Sequence, residues 1–239
     1  YWGYGAGIDF ESKILIKKTA PQLLEKKLQS KSWKAATIAL SGITDCYQPI
    51  EKSLKITRQL LKVFLKYKHP VGIITKNALI QRDLDILTEL AKDNLVSVYL
   101  SITSLNEQTR RLLEPRTASI KKRLETLSKL TEAGIPTGVM MAPIIPSINS
   151  HEILPLVKEV SQRGAHRVGF TIVRLNGAIS HIFSEWIRAT MPDRADKVLH
   201  QIESCHGGTL NDSCYGKRMS GEGKIAEQIN NLIKLARLK

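Results

Sequence analysis

Cysteine is scarce in this sequence. The 239 residues contain three, Cys46, Cys205 and Cys214. An odd, scattered set argues against a disulfide framework and for a reducing cytosol, so the protein is expected to be cytoplasmic. Their spacing fits no zinc or iron–sulfur motif within the chain. Each reads as a single buried or surface thiol, and no metal ligand is assigned. Long hydrophobic runs are missing too. No apolar stretch approaches the length of a membrane span, and no signal peptide is visible. The chain opens Tyr1-Trp2-Gly3 rather than on Met, which places the expected natural N-terminus upstream. There is no Gly-x-Ser-x-Gly elbow, no Walker-type Gly-Lys-Ser/Thr, no His-Glu-x-x-His and no Gly-x-Gly-x-x-Gly turn. A team of acid–base side chains of the usual sort is therefore not in evidence.

What is present is a 42% hydrophobic chain, enough for a sizeable core, with a formal net charge of +14. That balance favours acidic partners such as nucleic acid, nucleotides or phosphate-bearing substrates. Many of the lysines (Lys17, Lys18, Lys26, Lys27, Lys62, Lys66) fall on expected helix faces, where they equally serve solubility.

Strand and helix patterns alternate along the chain. Strands are expected at Ile14–Ile16, Thr37–Ser41, Pro70–Thr75, Leu95–Ile102, Pro136–Ala142 and Arg167–Val173. Helices are expected after Thr19, over residues 52–68, 79–92, 106–113 and 119–133, and from about 150 to 163. Gly134 and Gly164 close the last two as C-cap glycines. Beyond residue 178 the alternation fades into two helices broken at Met191-Pro192, a Gly-rich loop over 207–223, and a final amphipathic helix. Serial strand–helix units imply parallel pairing with right-handed crossovers. Near-continuous apolar strands without a dinucleotide turn favour an α/β fold of incomplete, TIM-like (β/α) barrel type. Residues 1–178 are expected to form the barrel and 179–239 a C-terminal helical extension.

In such a barrel, chemistry sits at the C-terminal ends of the strands. Ser41, Gly42, Thr44 and Asp45 follow one strand, Lys76 the next, Ser101 ends another, and Ala142 ends a fourth. A rim lysine is a point cation for a carboxylate or phosphate. Strand-end hydroxyls can fix a ribose or an amino group, and Asp45 and Glu51 accept from an ammonium or hydroxyl. Together they describe a zwitterionic ligand bearing a sugar. The six histidines do not cluster at these ends, which leaves the hard step to a cofactor.

At these residues the sequence resembles radical S-adenosylmethionine (SAM) proteins, in the branch similar to spore photoproduct lyases. The stretches that carry the likeness are YGAGIDFESKI (4–14), ALSGITDCYQPIE (39–51), VGIITKNALIQRDLDIL (71–87), LEPRTASIKKRLETLSKLTEAGIPTGVMMAPIIPSIN (113–149) and GGTLNDSCYGKRMSGEG (207–223). The resemblance implies a (β/α)6-type barrel. It also implies that a [4Fe-4S] cluster reductively cleaves SAM to a 5′-deoxyadenosyl radical, which abstracts hydrogen from a substrate. The family's Cys-x-x-x-Cys-x-x-Cys motif is absent here and is expected just upstream of Tyr1, together with the first barrel strand. By resemblance, Ser41, Gly42, Thr44 and Asp45 match the site of the SAM amino group. Lys76 matches the lysine that pairs with its carboxylate, Ser101 a serine at the ribose or carboxylate, and Ala142 a strand end beside the adenine. Glu114-Pro115-Arg116 is similar to an element near the site. The implied partners are an electron donor such as flavodoxin or ferredoxin and, from the lyase kinship and the charge, a nucleic-acid-related substrate; no membrane is implied. Two other readings stay open on the residues alone: a non-enzymatic nucleic-acid-binding protein on a barrel scaffold, and a phosphate-handling barrel enzyme.

Overall fold

The computed structural model describes residue 7 and residues 12–42 and 44–238. The chain divides into two compact units. One holds residues 17–141 and 156–169, and the other residues 1–16, 142–155 and 170–239.

The first unit is built on parallel strands. β1 (Ile38–Leu40), β2 (Val71–Thr75), β3 (Val96–Ser101), β4 (Thr137–Ile144) and β5 (Arg167–Ile172) follow one another in sheet order as in sequence. β4 and β5 begin in this unit and run on into the other. In β2 the side chains of Val71, Ile73 and Thr75 are buried and those between them half-buried, as expected of a strand covered on both faces. β3 repeats the pattern with Val96, Val98 and Leu100. Register pairs Leu40 with Ile73, Thr75 with Leu100 and Ser101 with Met140. Because these pairings are parallel, β1, β2 and β3 release their chains from the same edge of the sheet.

The helices of this unit are α1 (Ala20–Leu28), α2 (Glu51–Leu54), α3 (Ile56–Lys66), α4 (Leu84–Lys92), α5 (Glu107–Leu113), α6 (Ile120–Glu132) and α7 (Ile153–Gln162), the last beginning in the other unit. α3 buries Thr57, Leu61 and Phe64, a spacing of four and three that sets one face on the core. α6 buries Ile120, Arg123, Leu124, Leu127 and Leu130 on one stripe, capped by the Ser119 hydroxyl, which accepts from the Lys122 amide at 3.3 Å. Gly138 sits where a Cβ would come within 2.5 Å of the Tyr99 ring. Only glycine lets Tyr99 lie across β4 there.

The second unit contains α8 (Ala178–Thr190), α9 (Pro192–Ser204) and α10 (Gly223–Arg237). The segment between α9 and α10 is tied to the end of β5. The Ile172 amide donates to the Met219 carbonyl and the Leu175 amide to the Leu210 carbonyl, both at 2.8 Å. His206 is buried with its Nε2 2.7 Å from the Val173 carbonyl.

Two local expectations are corrected. Ile14–Ile16 is not a strand: it carries no ladder among the described residues, and its side chains are 45%, 55% and 40% exposed. Ile14, Leu15 and Ile16, with neither a neighbour to pair with among the described residues nor a face to bury, have nothing there to hold them extended. The helix expected over 52–68 is two helices, parted at Lys55, whose φ of 54° is left-handed. The break has a local cause. The Glu51 carboxylate accepts from the amides of Ile56 at 2.9 Å and Thr57 at 3.0 Å, capping α3 from the preceding turn.

Candidate functional site

The loop after β1 carries the acidic run that draws attention in the sequence, and most of its acceptors are used internally. Asp45 receives three hydrogen bonds. Oδ1 accepts from the Tyr47 amide at 2.9 Å and the Thr75 hydroxyl at 2.7 Å, and Oδ2 accepts from the Lys76 amide at 2.7 Å. It therefore clips the loop to the end of β2. An ionised carboxylate has about four lone-pair directions, so one remains, on Oδ2. Ser41 stands at φ 78°, and its hydroxyl accepts from the Cys46 amide at 2.9 Å. Beneath the loop, the buried Tyr47 hydroxyl donates to Asp83 at 3.1 Å. Glu51, offered by the sequence as an acceptor for a ligand ammonium, instead caps α3 and pairs with Arg82 at 3.0 Å.

Around the ends of β2 and β3 a second set of bonds forms a continuous chain. The Lys76 ammonium lies 2.9 Å from Glu114 Oε1. Glu114 Oε2 accepts from Arg123 Nη2 at 2.7 Å, and Arg123 Nη1 donates to the Ser101 carbonyl at 2.8 Å. Arg123 also donates through Nε to the Ala118 carbonyl at 2.9 Å, and through Nη2 to the Thr117 hydroxyl. The side chains grow steadily drier along the chain: Lys76 is 36% exposed, Glu114 9% and Arg123 2%. Burial pushes the Glu114 carboxyl up, but the charges of Lys76 and Arg123 outweigh it and hold the group below the ordinary glutamate value. A carboxylate so placed is ionised at neutral pH.

Asp45, Lys76 and Ser101 are thus brought to one edge of the sheet and joined through bonded groups. Ser101 is a largely buried residue, and its hydroxyl makes no hydrogen bond among the described residues, so its donor and acceptor are both unspent. Thr44 is exposed. Among the described residues no heavy atom lies within 4 Å of where a Gly42 Cβ would stand, so the backbone there is open to close approach. Ile43, between them, lies outside the described residues. So does most of the 4–14 stretch. Ala142 lies in β4 in the other unit, two residues before the end of the strand, and is joined to Pro143 by a cis bond.

Arg123 is the residue that sequence reading missed. In Lys121-Lys122-Arg123 it looks like one more solvated cation. The signal was its register: it falls three after Ile120 and four before Leu127, on the stripe that α6 turns inward. Glu114 was singled out only by resemblance, and its two partners give it a physical place.

The described residues contain no group of three or more His, Cys, Asp or Glu able to hold a metal ion. Cys46 is half-buried, and burial pushes its thiol up to about 12, so it is protonated at neutral pH and no ready metal ligand. Cys205 is buried and Cys214 exposed. No described helix is long and apolar enough to cross a membrane.

Comparison with known proteins bears on the fold and the family. The uncharacterized protein Rv2578c of Mycobacterium tuberculosis is 27% identical over 195 residues, covering 81% of this chain and 57% of its own length. The uncharacterized protein MJ0683 of Methanocaldococcus jannaschii is 31% identical over 149 residues, 62% of this chain and 52% of its own. The chain thus spans little more than half the length of these relatives. A double mutant of spore photoproduct lyase, solved with bound AdoMet and dinucleoside spore photoproduct, superposes with a TM-score of 0.63 at 16% identity, over 90% of this chain and 62% of its own. That likeness confirms the parallel α/β fold of partial TIM-like barrel type with a helical extension. The model of the radical SAM superfamily matches residues 14–160, more than half of the sequence, and the chain belongs to that superfamily.

Proposed function

We propose that this protein is a radical SAM enzyme acting on a nucleic-acid-related substrate. A [4Fe-4S] cluster, when bound, would supply the electron for reductive cleavage of SAM, the chemistry that would lead to hydrogen abstraction from the substrate. The described residues do not fit the cluster, since they bring no three thiolates together, so its ligands come from outside them in this reading. They do suit the nucleotide. The observation that carries the proposal is the bonded chain from Lys76 through Glu114 and Arg123 to Ser101, with Asp45 clipped to the same strand end.

In this reading Lys76 meets the carboxylate of SAM. The loop at Ser41, Gly42 and Thr44, with the remaining lone pair of Asp45, takes its ammonium. Ser101 offers its hydroxyl to the ribose. The chain contributes orientation: it fixes the charged end of the ligand while the sheet edge sets the depth at which the nucleoside lies. The net charge of +14 suits a polyanionic substrate and an acidic electron carrier such as flavodoxin or ferredoxin. The dinucleoside named with the neighbouring lyase points the same way. The protein then works in the cytoplasm.

The test is anaerobic reconstitution of the full-length protein with iron and sulfide, reduction, and assay for 5′-deoxyadenosine. Product formation that falls at least about tenfold in Lys76→Ala is expected, since one lost charge-assisted contact is worth roughly 1.5–3 kcal/mol. A protein that takes up the cluster yet neither binds nor cleaves SAM would overturn the proposal.

A further inference from the structure

Lys76 does not wait for its ligand alone. Its ammonium is already engaged at 2.9 Å by a carboxylate that is itself fixed from behind by a buried arginine. Resting on the reading of Lys76 above, we propose that Glu114 is a resident counter-ion. The ligand's carboxylate must share Lys76 with it, and Glu114 thereby sets how tightly the amino-acid end of the ligand is held.

The argument is one of charge and fixation. Lys76 and Arg123 bring two positive charges and Glu114 one negative, so the trio keeps a surplus of one, matched to a single incoming carboxylate. Glu114 cannot swing away to make room. Its Oε2 is held by Arg123 Nη2, and Arg123 is locked to the carbonyls of Ser101 and Ala118. The Glu114 backbone is pinned too, its carbonyl accepting from Arg110 Nη1 at 2.9 Å. An ammonium has three donor hydrogens, so Lys76 can keep Glu114 and still reach a second carboxylate. The two carboxylates then lie close in a partly dry setting and repel each other. Glu114 is a positioning residue in this scheme. It aims the lysine, and it also weakens the lysine's hold on an acid.

The measurement is equilibrium dialysis of SAM and of decarboxylated SAM against the anaerobically reconstituted protein. Glu114→Gln keeps the shape and removes the charge, and its single oxygen can accept from Lys76 only with the amide NH2 turned to Arg123. The expected result is SAM binding at least roughly tenfold tighter, between the about fivefold of a like-charge pair at 4 Å in bulk water and the about thousandfold of one near a protein surface. Decarboxylated SAM should show no change. A merely structural role would weaken both ligands together. Glu114→Asp, which keeps Arg123 paired but withdraws from Lys76, should tighten SAM in the same sense by less. Weaker SAM binding in folded variants, or an equal change for both ligands, would overturn the counter-ion. So would failure of both variants to fold, which would show that the carboxylate serves the fold alone. Failure of the unaltered protein to bind either ligand would instead sink the reading of Lys76 itself.

Discussion

Asp45 and Glu114 are both acidic residues at a strand-end rim, and they do different work. Asp45 spends three of its acceptor directions on Tyr47, Thr75 and Lys76. Replacing it with Ala strands two amides and a hydroxyl, and stability should fall by about 2–4 kcal/mol, read as a shift in urea midpoint at constant slope. Glu114 has its carboxyl held below the ordinary glutamate value because Lys76 and Arg123 together outweigh its burial. Its stabilising contribution is therefore complete above the ordinary value near 4.5 and is lost as pH falls through the lower folded value. The stability gap between the unaltered protein and Glu114→Gln should shrink as pH drops below about 4.5, followed by thermal unfolding across that range. Cysteine chemistry separates on the same grounds. With the Cys46 thiol pushed up to about 12 and Cys214 exposed, brief iodoacetamide treatment at mild alkaline pH should mark Cys214 first, as peptide mass mapping will show. At this scale the sequence was informative about which residues gather at the rim and poor about what they hold. Type and position mark Asp45 and Lys76 as rim groups, but only coordinates show that Glu51 turns back to cap its own neighbour.

Among the elements, β2 to β5, α5 and α6 were legible within a residue or two, because apolar alternation and capping signals agree there, whereas α4 starts at Leu84, five residues after the expected helix start, because residues 78–83 wind as a tighter 3-10 turn first. Asn106 and Ser119 begin α5 and α6 as their types suggest. What could not be read was the break at Lys55. The apolar spacing runs across it unbroken, and the deciding bond comes from a side chain one turn earlier. Glu51→Ala removes that cap and leaves Arg82 short of a partner. A loss of about 2–3 kcal/mol, measured by chemical unfolding, is expected from a lost cap and a lost buried ion-pair partner together. The Ile14–Ile16 strand failed for the opposite reason: propensity was there, but no neighbour among the described residues. Gly138→Ala offers a check on β4. A methyl set 2.5 Å from the Tyr99 ring forces that side chain aside, and overpacking of this kind costs roughly 1–3 kcal/mol.

For the molecule as a whole, composition indicated charge, alternation indicated the parallel α/β class, and family likeness supplied the cofactors. The division into two compact units could not be read off. Its boundaries cut through β4 and β5, where the sequence shows no linker and no shift in composition. The surplus of basic residues has a measurable consequence if the substrate is nucleic acid. Affinity for oligonucleotides should fall steeply with added salt, by roughly tens-fold or more between about 50 and 200 mM if even a few phosphates are contacted. A salt-independent gel shift would argue for a small-molecule substrate instead.

The segment between α9 and α10 is fastened on both flanks, at Leu210 by the Leu175 amide and at Met219 by the Ile172 amide. Between those anchors stand the exposed Tyr215 and its neighbours. A protease that cuts at Tyr215 would leave each new terminus still tethered, one to the last residue of β5 and the other to the chain just beyond it. The nicked polypeptide should therefore travel as one species on a native gel and part into two bands only in detergent.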